Sequence, residues 1–436
     1  MRTAALHNLG CKVNAYETEA MRQSLEEHGY KIVQFNEKAD IYIINTCTVT
    51  NMADRKSRQM LHRAKKLNPD AVVVAVGCYV QAAGEAIRDD EAIDIIIGNN
   101  HKADLVHILE AYFESGESNV FLEDLSKESA YEDMQMTTVG EHTRAFIKIQ
   151  DGCNQFCTYC IIPYARGRIR SRDMEDINNE ICKLSKCGYK EIVLTGIHLS
   201  SYGKDMKDAN VSLVDVIDRV CNIDGIERVR LGSLEPRIIT EEFLQQLAKW
   251  PEFCPHFHLS LQSGCDDTLK RMNRHYTTEE YYEKCKMIRE VFPQAAITTD
   301  VIVGFPKETE DEFEKTEEFL KKIAFAEMHI FKYSKRAGTI AAKMDGQVKE
   351  EVKTVRSDRL IGLGLELRTD FIRQFVGSSV DVLVEEMVNI DGKQYLVGHT
   401  KEYVKVAFEG EVKLINTVVK VEVNKILKNE ILLANM

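Results

Sequence analysis

Through the first 334 residues, apolar runs of strand length alternate with longer segments patterned at the helical period. A chain so patterned carries each strand back to the sheet through a helix, which builds parallel sheets. In the first hundred residues the strands read as Thr3–Leu9, Asp40–Asn45, Ala71–Val76 and Ala92–Ile97, with helices such as Ala15–His28, Asn51–Lys66 and His101–Phe113 between them. This is the pattern of a doubly wound sheet. Six further strands follow: Ala145–Gln150, Glu191–Ile197, Arg228–Leu234, His256–Gln262, Ile297–Phe305 and Glu327–Tyr333. With their helices they make a partial (β/α)6 barrel, open where a full barrel would close. The stretch 115–143 is acidic and without clear period, and reads as a linker. Beyond a helical connector, short alternating strands separated by Asp391-Gly392 and Glu409-Gly410 predict a small antiparallel β-barrel of OB type. The expected organisation is α/β, with domains at 1–114, 144–371 and 372–436.

Cysteines punctuate this pattern at strand ends. Cys153, Cys157 and Cys160 form a C-x3-C-x2-C loop directly after the strand 145–150. Three soft thiolates on one tight loop can hold three corners of a [4Fe–4S] cluster and leave one iron open for a small molecule. Zinc fits less well, because Cys157 and Cys160 have no second C-x2-C pair to complete four ligands. Cys11, Cys47 and Cys78 each sit just past a strand of the first domain. C-terminal strand ends share one sheet edge, so these three should converge as a second open cluster site. Cys182, Cys187, Cys221, Cys254, Cys265 and Cys285 fit no such pattern and read as structural.

The other strand ends of the barrel offer a pocket for the small molecule: Gly196 and Gly304 for close backbone approach, Glu235 for hydroxyl or ammonium groups, and Gln262 as a polar contact. The 57 Lys and Arg against 69 Asp and Glu leave a net charge of −12, which argues against coating nucleic acid by charge alone. A local exception is Arg166, Arg168, Arg170 and Arg172, whose alternation in an extended chain would put all four on one RNA-facing surface. The C-terminal barrel has eight Lys and Arg against nine Asp and Glu, so RNA binding there rests on architecture and on Lys401, Tyr403 and Lys405. The start of the chain lacks a signal-peptide core and no run is long enough to span a bilayer, so a cytoplasmic location is expected.

From Leu6 to Leu433 the chain resembles the methylthiotransferase family of radical S-adenosylmethionine (SAM) enzymes, on six cysteines in two patterns and on the three-part order. The segment Asn8-Leu-Gly-Cys11-Lys-Val-Asn14, the run Leu194–Leu199 and the Arg166–Arg172 stretch are most similar to the branch that modifies threonylcarbamoyladenosine beside the tRNA anticodon. Sister branches act on isopentenyladenosine in tRNA and on an aspartate of a ribosomal protein; a non-enzymatic iron–sulfur RNA-binding protein is the more distant alternative. The resemblance implies a C-terminal TRAM barrel and two [4Fe–4S] clusters, a catalytic one on Cys153, Cys157 and Cys160 and an auxiliary one on Cys11, Cys47 and Cys78. It also implies SAM as cofactor, a tRNA substrate, and an external electron donor and sulfur source. An adenosyl radical would abstract the hydrogen at C2 of the adenine before the methylthio group is attached.

Overall fold

A computed structural model describes the chain except residues 117–118, 126–129, 137–142, 207–210 and 428–429. Six strands, β1 (Thr3–Asn8), β2 (Lys31–Ile32), β3 (Ile41–Thr46), β4 (Val72–Gly77), β5 (Ile95–Ile97) and β6 (Asn119–Phe121), form one parallel sheet in the order β2-β1-β3-β4-β5-β6. β3 and β4 are buried along their whole length, as a sheet covered on both faces requires. The alternate residues Ile41 and Ile43 face the core shared with helix α1 (Lys12–Glu27), while Tyr42 and Ile44 face that of α2 (Asn51–Leu67). The strand order reverses direction between β1 and β3, and such a switch point leaves a crevice at the C-terminal edge. β6 lies inside the stretch expected to be a linker. That expectation is corrected: 119–121 completes the sheet, and Leu125, Met134 and Met136 are buried. The helix expected from Ala15 starts at Lys12, which makes Cys11 its N-cap.

The second unit is built from β7 (Arg144–Asp151), β8 (Arg170–Ser171), β9 (Glu191–Gly196), β10 (Arg228–Leu231), β11 (His256–His258), β12 (Ala296–Val303) and β13 (Glu327–Lys332). β7, β9 and β10 pair in parallel, as do β11, β12 and β13; parallel bridges at Val229–Phe253 and Leu234–Leu259 join the two halves into a six-stranded open barrel. β8 is a short antiparallel addition to β7. The first unit lies against both edges of this barrel. On one side α1 packs on β7, with Tyr16 hydrogen-bonded to the Glu180 carboxylate; on the other, Arg336 beyond β13 pairs with Asp54 of α2 at 2.7 Å and donates to Thr48. One hydrophobic core runs through both units.

β14 (Ser379–Ile390), β15 (Lys393–His399), β16 (Lys405–Phe408), β17 (Val418–Ile426) and β18 (Leu432–Asn435) close into a barrel ordered β14-β15-β16-β18-β17. Pairing is antiparallel except between β16 and β18. β14 and β15 meet at Asp391-Gly392, both with positive φ, as a tight hairpin turn demands. This barrel covers the N-terminal ends of the central strands. Arg228 donates to the carbonyls of His399 (2.7 Å) and Asp381 (2.8 Å), and Arg230 to that of Lys401 (2.7 Å). The Tyr403 ring stacks on His399 with centroids 4.5 Å apart, under the guanidinium groups of Arg144 and Arg230. No helix among the described residues is long and apolar enough to cross a membrane.

Candidate active site

Cys11, Cys47 and Cys78 follow β1, β3 and β4, three adjacent strands at the switch-point crevice. Their thiols interact with one another: burial raises Cys47 to about 11, with Cys78 and Cys11 adding to the rise. Cys11 is exposed to solvent, yet surrounding protein still raises its thiol, which places it on the wall of a recess. Gly10 has φ +105°, and a β-carbon there would lie 2.9 Å from Cys47 Sγ. Arg166, at the end of the short helix Ile162–Arg166, reaches into this group and donates from Nε to Cys78 Sγ at 3.2 Å.

The loop of Cys153, Cys157 and Cys160 follows β7. Gly152 turns it with φ +70°, where any side chain would strike the Arg168 carbonyl at 1.8 Å. The main chain of the loop is tied down by bonds from Cys153 N to the Gly167 carbonyl (3.0 Å), from Thr158 N to that of Met272 (3.0 Å), and from Asn273 Nδ2 to that of Phe156 (3.2 Å). Arg274 donates to Cys157 Sγ at 3.3 Å and is fixed by the Ser260 carbonyl (3.1 Å) and the Tyr276 hydroxyl (2.9 Å). Burial pushes Cys153 up to about 11 and Cys160 to about 12, with neighbouring thiols contributing. Thiolates in such surroundings persist only beside positive charge, and each triad has one guanidinium at hydrogen-bond distance.

Between the triads lies a buried network of charge. Arg166 Nη1 donates to Glu17 (2.9 Å) and Asp151 (3.0 Å), and Nη2 to Asn14 (2.7 Å). Lys102 and Lys148 pair with Glu17 at 2.7 and 2.9 Å, and Lys148 with Asp151 at 2.8 Å. Burial alone would raise the carboxyls of Glu17 and Asp151, but Arg166 and the lysines outweigh it and hold both well below the usual range. One side chain therefore touches Cys78 of the first unit and Asp151, two residues before Cys153, of the second.

These contacts correct the expected RNA-facing arginine surface. Arg166, Arg170 and Arg172 are buried; Arg172 is paired with Glu180 and Arg170 lies 3.6 Å from Asp151. The alternation does not describe a strand face, because Arg166 ends a helix and β8 spans only two residues. Arg168 alone stays exposed, over the Phe156 ring at 4.7 Å, which in turn meets the exposed Tyr164 edge-on. Lys401 is engaged by the Pro251 carbonyl, and Lys405 is half-buried on β16.

The expected pocket residues all lie at strand ends of the barrel, but two glycines serve packing. A β-carbon at Gly196 would meet Gln150 Oε1 at 2.9 Å, and one at Gly304 would meet Lys353 Cγ at 2.3 Å. Gln262 has φ +74° and bridges to Val301; Glu235 accepts from Arg237 at 2.8 Å. Glu235 also borders a cavity of about 820 Å³ with Ser200, Tyr202 and Phe243. Sequence reasoning missed Arg274, whose partner Cys157 is remote in the chain, Lys148 and Lys102, which meet at the equally remote Glu17, and His198, whose Nε2 is buried without a partner among the described residues.

A family model described as the uncharacterized protein family UPF0004 matches residues 3–98, and the Radical SAM superfamily model matches residues 147–320. A threonylcarbamoyladenosine tRNA methylthiotransferase, MtaB of Bacillus subtilis, is 42% identical over 98% of this chain and 94% of its own length. The MtaB of Aquifex aeolicus is 41% identical over 90% of this chain and 95% of its own. A tRNA-2-methylthio-N(6)-dimethylallyladenosine synthase of Clostridium botulinum is 37% identical over 95% of this chain and 93% of its own. Among solved structures, the radical SAM methyltransferase TsrM of Kitasatospora setae aligns with TM-score 0.56 at 15% identity, over 76% of this chain and 73% of that one, a likeness of fold.

Proposed function

Because the chain belongs to the methylthiotransferase family of radical SAM enzymes, we propose that it attaches a methylthio group to C2 of N6-threonylcarbamoyladenosine in tRNA, beside the anticodon. The observation that carries this reading is the pair of cysteine triads joined by Arg166. A sulfur source and a radical source must act on one carbon, and a single buried side chain links the two candidate sites. The donor sets fit [4Fe–4S] clusters: three soft thiols each, with a guanidinium alongside to stabilise thiolate. Cys153, Cys157 and Cys160 would hold one cluster, and Cys11, Cys47 and Cys78 the other. When bound, the clusters supply the one-electron chemistry and the sulfur that an unactivated aromatic C–H bond requires.

The chain's own residues hold and orient. Arg274 ties Cys157 to the Ser260 carbonyl just past β11, which fixes that thiol relative to the barrel. Glu235 and Gln262, at those strand ends, are the groups we assign to SAM. For RNA, the exposed Arg168 and Tyr164, with the half-buried Phe156 between them, supply charge and aromatic faces beside the loop, a combination suited to an unstacked base. Helix α2 presents Arg55, Lys56, Arg58, Arg63 and Lys66 to solvent just beyond Cys47, a local basic face on an acidic protein.

The test is mass spectrometry of nucleosides from tRNA treated anaerobically with reconstituted protein, SAM, reductant and sulfide. The expected product is the 2-methylthio form of threonylcarbamoyladenosine, lost in Cys157→Ala. Product on dimethylallyladenosine alone would move the protein to the other tRNA branch. Product on neither would remove tRNA as substrate.

A further inference from the structure

The interior of the central barrel is a charged lumen, and one of its charges lacks a partner among the described residues. Lys12 opens helix α1, which packs against β7 and β9, and the charges of Arg144, Glu191 and Arg230 on β7, β9 and β10 act on it. His256 faces Lys12, Arg230, His258 and His329, so these side chains line the same space. Tyr403 of the C-terminal barrel closes its floor. The carboxylates of the lumen are already engaged. Glu191 pairs with Arg230 at 2.8 Å and lies 3.9 Å from Arg228. Glu385 pairs with His399 at 2.9 Å and lies 3.6 Å from Arg144, and Asp300 lies 3.3 Å from His258.

Lys12 is different. It is exposed, makes no hydrogen bond or ion pair among the described residues, and has two arginines, Arg230 and Arg144, near it against one carboxylate, Glu191, which is itself paired with Arg230. An unpaired ammonium facing other cations in a recess is a place for an anion. Lys12 is also the residue directly after Cys11, at the first position of α1. On an adenine ring only N1 separates C2 from C6. A base that offers C2 to the Cys11 triad therefore holds its N6 substituent two ring positions away, within the reach of a lysine side chain next to Cys11. The threonylcarbamoyl substituent ends in a carboxylate and a hydroxyl, whereas a dimethylallyl group is all hydrocarbon.

We propose that Lys12 binds the carboxylate of the N6-threonylcarbamoyl group inside the barrel lumen and so selects this substrate over adenosines with an uncharged N6 substituent. The proposal rests on the substrate reading above and deepens it. Burying an ammonium against a hydrocarbon substituent would leave it unpaired, so the same residue that attracts one substrate disfavours the other.

The test measures binding, apart from turnover. Fluorescein-labelled anticodon stem-loops carrying threonylcarbamoyladenosine, its carboxamide or dimethylallyladenosine are titrated anaerobically with reconstituted protein, and Kd is read by anisotropy. Wild type should bind the carboxylate form about tenfold tighter than the carboxamide, the scale of one charge-assisted hydrogen bond. Lys12→Gln should lose that ratio while keeping its affinity for the carboxamide form, and Lys12→Arg should keep most of the ratio. The carboxamide arm uses the unaltered protein, so a folding defect in a variant cannot mask the answer. A ratio near one in wild type, or a ratio that survives Lys12→Gln, overturns the proposal. If wild type also fails to methylthiolate the carboxylate stem-loop, the substrate reading falls with it; if wild type turns that stem-loop over, only the assignment of Lys12 falls.

Discussion

The β-carbon missing at Gly10 decides where Cys47 can sit. With Cys47 Cβ and Sγ both 2.9 Å from that position, Gly10→Ala must displace the thiol, and the residue would also be strained at φ +105°. Gly29→Ala carries similar strain at φ +83° but meets nothing within 4 Å. Iron analysis of reconstituted protein should therefore show Gly10→Ala with about half the wild-type iron, one cluster of two, and Gly29→Ala with all of it. Full iron in Gly10→Ala would mean that the triad tolerates the shift. The cysteines were legible from sequence because each follows a strand, and strand ends in a parallel sheet share an edge. Arg166 and Arg274 were not, because their sulfur partners lie 88 and 117 residues away. Their meaning comes from packing between units. The alternating arginines misled for a related reason: period two marks a face only where the chain is a strand, and here it is a helix end, a loop and a two-residue strand.

At the scale of elements, α2 combines an apolar face with a basic one. Ser57, Leu61 and Ala64 are buried, while Arg55, Lys56, Arg58, Arg63 and Lys66 point to solvent. If this helix tracks the RNA backbone, changing Arg55, Lys56 and Arg58 together to Glu should weaken stem-loop binding about tenfold or more at low salt. The plot of log affinity against log salt should also flatten by about two to three, since each lost phosphate contact removes nearly one counterion. Binding with unchanged slope would take α2 off the RNA path. Most helices and strands were readable from periodicity, because their apolar residues recur at the spacing of a buried face. β6 was not: three residues are too few to show a period, and only the adjacent strand β5 identifies them. The start of α1 was hidden for another reason, since Cys11 takes the N-cap place in extended geometry and its side chain does not cap the helix backbone.

Across the whole molecule, charged side chains span the seam between the central barrel and the C-terminal one: Arg228 and Arg230 donate to carbonyls of the latter, and Arg144 lies 3.6 Å from Glu385. Burial would raise the carboxyl of Glu385 on β14, but His399 on β15 and Arg144 across the seam bring it below the ordinary glutamate value. A group with a lowered folded-state pKa that pairs across the seam stabilises the docked state above that ordinary value, about 4.5, and loses the contribution as pH falls below it. Hydrogen exchange followed from about pH 6 to about pH 3 should therefore show protection failing in β14 and β15 before β12; simultaneous loss would show that apolar contacts hold the two barrels together. The order of the three units was legible because each has its own strand pattern. Their docking was not, since Arg228, Arg230 and Tyr403 look like ordinary strand and turn residues until the two barrels meet. Helix α1, shared between the sheet and the central barrel, has one more effect. With a single core running through both, the two triads are carried on one stiff frame. The shape change needed for reaction then falls on the RNA. The anticodon loop must unstack and swing one base out of its column, at a cost of a few kcal/mol, to bring an inner ring carbon to cysteines that do not move toward it.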